Sequence, residues 1–376
     1  MNIGVDIRPL LSPVRTGVGE YTFELLNAIF QIDKQNQYFL FYNSYKDLDK
    51  YLPSWKYENV RFIKKNWSNK LFNFCQKFLN WPKIDLFVAK EFSLEKLDYF
   101  FSPNLNFTAL SKKPKKILTI HDLSFDFFPE YLSFKQKLWH LFINPKKQCF
   151  GADIILAPSK NTKRDLIDFY NLSENKIRTI YPGLSSIFQN ITENKKNLNL
   201  PDNYILFLGA LEPRKNILGV IEAYEKAFTR LSLPYHLVIA GAPGWKNKEI
   251  FEKIEGSPLK QKITFIGYVK NEDKPELYRR ASIFVYPSFY EGFGFPVLEA
   301  MYCHVPVITS NVSSLVEITS KNAYLVDPNK PEQISDGLIK ILNKQNIKNN
   351  LISKAKIRSE KFSWSSSAKD FLNILK

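Results

Sequence analysis

"IFVYPSFYEGFGFPVLEA", residues 283–300, reads as a strand, a short loop and the opening of a helix. The run of β-branched and aromatic residues over 283–286 suits a strand buried on both faces. Pro296 then fits the first turn of a helix, where a missing N–H leaves no hydrogen bond unmade. Glu291 therefore falls in the loop at the strand's carboxyl end, and Glu299 about one turn inside the helix. Between the acids, Gly292 and Gly294 allow the backbone to approach a ligand closely. The helix opening near Phe295 adds unpaired N–H groups and a positive dipole end, so the stretch Gly292, Phe293, Gly294 and Phe295 forms a seat for an anion. Glu299, beyond that seat, can accept two hydrogen bonds from a ribose diol. The two acids thus bracket a nucleotide, with Glu291 facing whatever is attached at its far end.

The same strand–loop–helix alternation runs through the whole chain, in two series. Strands are expected over 2–7, 38–42, 60–63, 99–102, 116–121 and 152–158, then over 204–208, 236–240, 263–268, 283–286, 305–309 and 321–328. Helical patterns fit between several of them, one spanning 217–229. The Asn-rich tract between the series lacks a sustained period and reads as a linker. The fold class is α/β: two Rossmann-like doubly wound domains facing a cleft. The first covers 1–185, the linker 186–203 and the second 204–360, with a terminal helix over 361–376.

Open α/β sheets bind ligands beyond the carboxyl ends of their strands, so the loops there carry the chemistry. "FLGALEPRKN" closes the strand at 204–208 and supplies Arg214 and Lys215 ahead of a helix. Arg can fork two phosphate oxygens and Lys acts as a mobile point charge, which together suit a diphosphate without a metal. Both are expected in an exposed cleft and outside the core. In the first series, "RTGVGEYTFELL" places Gly17 and Gly19 before a helix, and "ILTIHDLSFDFFPE" ends a strand at His121, suited to a hydrogen-bond donor beside a reacting sugar.

These motifs together resemble the retaining glycosyltransferases of family 4, which have the GT-B fold. The resemblance covers nearly the whole length and rests on "EGFGFPVLEA", "LEPRKN", "HDLSFDFFPEYLSF" and "TGVGEYT". It implies that Arg214 and Lys215 bind the diphosphate, Glu299 the ribose and Glu291 the donor sugar, with His121 touching that sugar too. "FIGYV" resembles the family's base-contacting segment and implies that Gly267, Tyr268 and Val269 line the nucleobase. The resemblance further implies an acceptor-binding first domain, a terminal helix crossing back to it, and retention of anomeric configuration. Val316 and Lys321 depart from the family's usual pattern and put that local turn in question. The motifs look most like bacterial mannosyltransferases of surface polysaccharide synthesis. That resemblance implies GDP-mannose as the donor and a lipid-linked or growing saccharide as acceptor. A UDP-hexose or dTDP-rhamnose donor is the alternative, ahead of a sugar-nucleotide epimerase or a basic nucleic-acid-binding protein.

Composition sets outer bounds on these readings. A chain of 376 residues with 44% hydrophobic content exceeds one ordinary core. Cys75, Cys149 and Cys303 lie far apart, which argues against a disulfide framework or zinc cluster. No metal and no cofactor is expected, because the one Asp-x-Asp, at Asp47 and Asp49, is flanked by lysines. No export signal or membrane span is expected, and the protein is read as cytoplasmic. The net charge of +16 calls for an anionic partner unless it follows from genome composition. Two lysine-rich stretches, 64–83 and 134–147, alternate basic and apolar residues. In the first, Trp67, Leu71, Phe74, Cys75, Phe78 and Leu79 share a helical face, which suggests reversible docking on an anionic membrane, with no nucleic acid expected.

Overall fold

The computed structural model describes residues 1–189, 200–232 and 234–376. Two compact units divide the chain: Met1–Leu123, Lys135–Gly183 and Ser363–Lys376 in one, Ser124–Phe134 and Leu184–Phe362 in the other.

The first unit is built on a parallel sheet of β1 (Asn2–Asp6), β2 (Gln37–Asn43), β3 (Val60–Lys65), β4 (Tyr99–Ser102), β5 (Lys115–Thr119), β6 (Ile154–Ala157) and β7 (Ile177–Thr179). Their order is β3-β2-β1-β4-β5-β6-β7, so strand direction of travel reverses between β1 and β4. Phe39 and Phe41 of β2 and Phe100 of β4 pack with Ile63, Phe72, Ile84, Val88 and Leu97 in one buried cluster. Each fully buried side chain of this size stabilises by about 1.5–3 kcal/mol.

The Trp364–Ile374 helix belongs to this unit and packs along the Gly17–Ile32 helix. Phe371 meets Phe101 at 4.9 Å, Ser367 Oγ donates to the Tyr181 carbonyl at 2.5 Å, and Tyr99 donates to that of Leu375 at 3.3 Å. Gly183 makes this approach possible, since a Cβ there would stand 2.1 Å from the Trp364 nitrogen.

The second unit carries β8 (Tyr204–Leu208), β9 (His236–Ala240), β10 (Ile263–Gly267), β11 (Ile283–Tyr286), β12 (Val307–Ser310) and β13 (Tyr324–Val326). The order is β10-β9-β8-β11-β12-β13, again all parallel, with its reversal between β8 and β11. Loops after these two strands therefore flank the crevice where such sheets take ligands. The β8 loop is shaped by the β9 loop: Leu211 N–H donates to the Ala242 carbonyl, and Gly241 at φ +144° would drive a Cβ to 1.8 Å from the Gly209 oxygen.

Twelve expected strands coincide with β1–β6 and β8–β13 to within a few residues; β7, three residues long, was missed. Residues 190–199 of the expected linker lie outside the described residues. One assignment needs correcting. The 124–134 segment, read as part of the first domain, packs with the second unit. Phe127 and Phe128 lie against Tyr290 at 5.5 and 5.9 Å, Tyr131 against Phe289 at 6.0 Å, and Trp245 Nε1 donates to the Tyr131 carbonyl. Aromatic burial decides where this segment goes.

Candidate active site

The β8 and β11 loops bring Arg214, Lys215 and Glu291 into direct contact. Glu212 in extended conformation leads into the turn Pro213–Lys215, and Asn216, left-handed at φ 56°, ends it. Asn216 holds the turn by donating from Nδ2 to the carbonyls of Pro287 and Pro328. Lys215 Nζ donates to Glu291 Oε1 at 2.6 Å and to the Tyr286 hydroxyl at 2.7 Å. Tyr286 and Ser288 donate to the same carboxylate oxygen at 3.0 and 2.7 Å. Arg214 Nη1 reaches Glu291 Oε2 at 3.3 Å and the Tyr290 carbonyl at 2.7 Å, while its Nη2 donates to Glu212 Oε1 at 2.9 Å.

The expectation of two exposed cations is thereby corrected. Lys215 is only 8% exposed and Arg214 half-buried, because burial of the opposing carboxylates requires their counter-charges beside them. Burial alone would raise the Glu291 pKa. Lys215, Arg214 and the hydrogen bonds from Lys215 and Ser288 outweigh it and hold the acid down at about 2. Glu291 is thus a fixed carboxylate at neutral pH and not a proton donor. Tyr286, buried beside it, is held well above 10 and stays a neutral hydroxyl.

The loop after β11 keeps its shape through serines. Glu291 N–H donates to Ser313 Oγ at 3.1 Å, and Ser314 Oγ donates to the carbonyls of Glu291 and Phe293, both at 2.8 Å. Gly294, at φ +108°, precedes the Phe295–Tyr302 helix with Pro296 in its first turn. A Cβ on Gly294 would also meet Leu315 at 2.8 Å. Phe293 is buried against Phe295 and Phe362, so of this residue only the backbone can face a ligand. Glu299, half-buried on that helix, accepts from the Tyr278 hydroxyl at 2.9 Å. At the end of β10, Gly267 takes φ +72°, Tyr268 is 48% exposed and the Val269 side chain is buried. Of these three, Tyr268 is the one with a ring open to a flat ligand.

In the first unit, Gly17 opens the helix and a Cβ there would meet nothing within 4 Å. Gly19 has a packing reason instead, since a Cβ would come within 3.2 Å of the Pro9 carbonyl. His121 packs edge-on against Tyr21 at 4.8 Å, and its Nε2 lies 3.0 Å from the Pro103 carbonyl. A carbonyl only accepts, so Nε2 carries the proton. Burial lowers the ring's pKa, against the Pro103 hydrogen bond and Asp122, which raise it. The ring is therefore neutral at pH 7, with Nδ1 as an acceptor rather than the expected donor. Asp49 of the Asp-x-Asp pairs with Lys64 at 3.0 Å. Sequence reasoning missed Glu212, Tyr286 and Ser288. Of these, Glu212 had a local signal, standing two residues before Arg214 in the chain.

Two family models match this chain in succession: Glycosyltransferase Family 4 over residues 16–186, and Glycosyl transferases group 1 over residues 188–358. The chain is 28% identical to O-antigen chain mannosyltransferase B of Escherichia coli over a 390-position alignment covering 100% of each. It is 30% identical to O-antigen chain mannosyltransferase RfbU of Salmonella typhimurium, over 56% of each chain. Among solved structures it is similar to sucrose-phosphate synthase from Thermosynechococcus elongatus, with TM-score 0.79, 19% identity and coverage of 99% and 98%. It also resembles WaaG, a glycosyltransferase involved in lipopolysaccharide biosynthesis, with TM-score 0.70, 14% identity and 100% coverage of both. With its two halves matched in order by these models and its two parallel sheets shared with such structures, the chain belongs to the family 4 glycosyltransferases of GT-B fold.

Proposed function

We propose that the protein transfers mannose from GDP-mannose, with retention of configuration, to a saccharide acceptor in surface polysaccharide synthesis. The observation carrying this reading is the Arg214–Lys215–Glu291 cluster at the β8/β11 reversal. Cleaving a glycosyl–phosphate bond puts roughly one further negative charge on the leaving diphosphate, and preorganised cations lower that barrier. Arg214 and Lys215 supply them, with the backbone of Gly292 to Phe295 at the helix opening. Glu299 takes the ribose, Tyr268 stacks on the base, and Glu291 holds hydroxyls of the donor sugar. The acceptor attacks from the leaving group's face. The choice of mannose is supported by the mannosyltransferase names of the full-length relative and of RfbU.

A panel of GDP-mannose, UDP-glucose and dTDP-rhamnose, read by nucleotide release, tests the donor. GDP-mannose is expected to turn over fastest, and activity is expected to survive EDTA. Faster release from either rival overturns the donor, and loss restored only by magnesium or manganese overturns the metal-free mechanism.

The acceptor side of this proposal includes an anionic lipid surface. No helix among the described residues is long and apolar enough to cross a membrane. The helix Asn69–Phe74 and the wider turn Cys75–Leu79 instead direct Phe72 and Cys75 inward, leaving Leu71, Phe74, Phe78 and Leu79 53–61% exposed. Trp67 packs against the core, so it and Cys75 leave the face drawn from the sequence, and Trp81, 54% exposed, joins it. Lys64 is engaged by Asp49 and Lys65 by the Phe87 ring at 4.1 Å, which leaves Lys70, Lys77 and Lys83 as the basic rim. Leu138, Trp139, Leu141 and Phe142 of the Phe134–Ile143 helix are exposed as well. Each lysine near an anionic surface contributes about 1 kcal/mol. Flotation should show binding to phosphatidylglycerol vesicles but not to neutral ones, weakened by salt and abolished by Phe74→Ser with Phe78→Ser. Equal binding to both vesicles, or none, contradicts the proposal.

A further inference from the structure

Glu212 is 3% exposed and stands in the loop that carries the two cations. Its Oε1 accepts from Arg214 Nη2 at 2.9 Å and lies 3.8 Å from Lys215 Nζ. Glu291 faces the same two cations at 3.3 and 2.6 Å. Two positive and two negative side chains therefore share one buried cluster, which is formally neutral.

Neutrality is unexpected where a diphosphate is to bind. Burying a second carboxylate costs desolvation energy, and with Glu291 already facing both cations an amide at position 212 would still leave each of them a counter-charge. The acid must therefore be explained by what it does to the ligand. Donor and product both present a diphosphate to Arg214 and Lys215, so attraction common to the two lowers KM without raising turnover. It also slows product departure, and release limits many enzymes that bind their products strongly. A fixed carboxylate beside the cations repels both ligands. The freed nucleoside diphosphate carries one more negative charge than the donor, so it is repelled more.

We infer that Glu212 is a positioning and charge-balancing residue that weakens binding of the leaving nucleoside diphosphate while holding the Arg214 guanidinium in place. This rests on the reading of Arg214 and Lys215 as the diphosphate site. Glu212→Gln separates the two roles, because the amide oxygen still accepts from Arg214 Nη2 while the charge is gone. Glu212→Asp keeps the charge.

The test is titration calorimetry of the full-length protein with GDP and with UDP at low and high salt. Glu212→Gln is expected to bind the nucleoside diphosphate about tenfold more tightly than wild type. The gain should shrink as salt rises, the gain for the intact donor should be smaller, and product inhibition should deepen. Glu212→Asp should stay near wild type. A purely structural role would instead weaken binding in the Gln variant or leave it unchanged, and either result overturns the inference. If Arg214→Ala loses nucleoside diphosphate binding while Glu212→Gln gains none, the inference alone falls. Binding indifferent to both substitutions removes the diphosphate site along with it.

Discussion

Replacing Arg214 by alanine is expected to cut turnover by about 10²–10³-fold, since one preorganised donor to a developing charge is worth that much. The side chain is half-buried and held by acceptors that include Glu212, Tyr290 and Glu291. Its fork is thus in position before substrate arrives, and little reorganisation accompanies bond cleavage. Arg214→Lys should recover only a fraction, because a single ammonium cannot reproduce the planar fork. Glu299→Ala, by contrast, should chiefly raise the donor KM, as a ribose contact is alike in ground and transition states. Steady-state kinetics with varied donor separates the patterns. Arg214→Ala with near wild-type turnover would remove this residue from the reaction.

The second large effect concerns Glu291 and is read by stability. Its pKa lies at about 2 in the folded chain against an ordinary 4.5, a difference worth on the order of 3 kcal/mol. A depressed carboxylate stabilises the fold above its unfolded pKa, and that contribution is lost as pH falls from about 4.5 towards 2. Glu291→Gln should therefore be about 3 kcal/mol less stable than wild type at pH 7, with Lys215 left buried opposite a neutral group. Near pH 2 the two proteins should converge. Denaturant titrations of both across this range check the sign. A deficit unchanged by pH would assign the cost to packing and not to charge. Turnover in Glu291→Gln should fall as well, because Lys215 and the loop carrying the anion seat lose a shared anchor.

The fold was legible because most of its parallel strands carry apolar runs, fully buried in β8 and β11. β7 was not, since its three residues, Ile177–Thr179, include a single apolar side chain. The candidate site was legible where chemistry is local. Gly294 ahead of Pro296 marks the helix opening, and Arg214 with Lys215 marks a cationic turn. What the chain order hides is pairing across strands. Nothing near position 286 indicates that Tyr286 converges on Lys215, because β8 and β11 lie 75 or more positions apart and meet only in the sheet. The 124–134 segment was misassigned for the same reason. Its position in the chain belongs to one unit and its aromatic rings to the other.

A crystal structure of the protein with GDP-mannose tests the central claim most directly. The account predicts the diphosphate within hydrogen-bond distance of Arg214, Lys215 and the backbone at the Phe295–Tyr302 helix opening, the ribose on Glu299 and the base against Tyr268. A nucleotide bound in the first unit, or in the second unit with its phosphates away from Arg214 and Lys215, would contradict it.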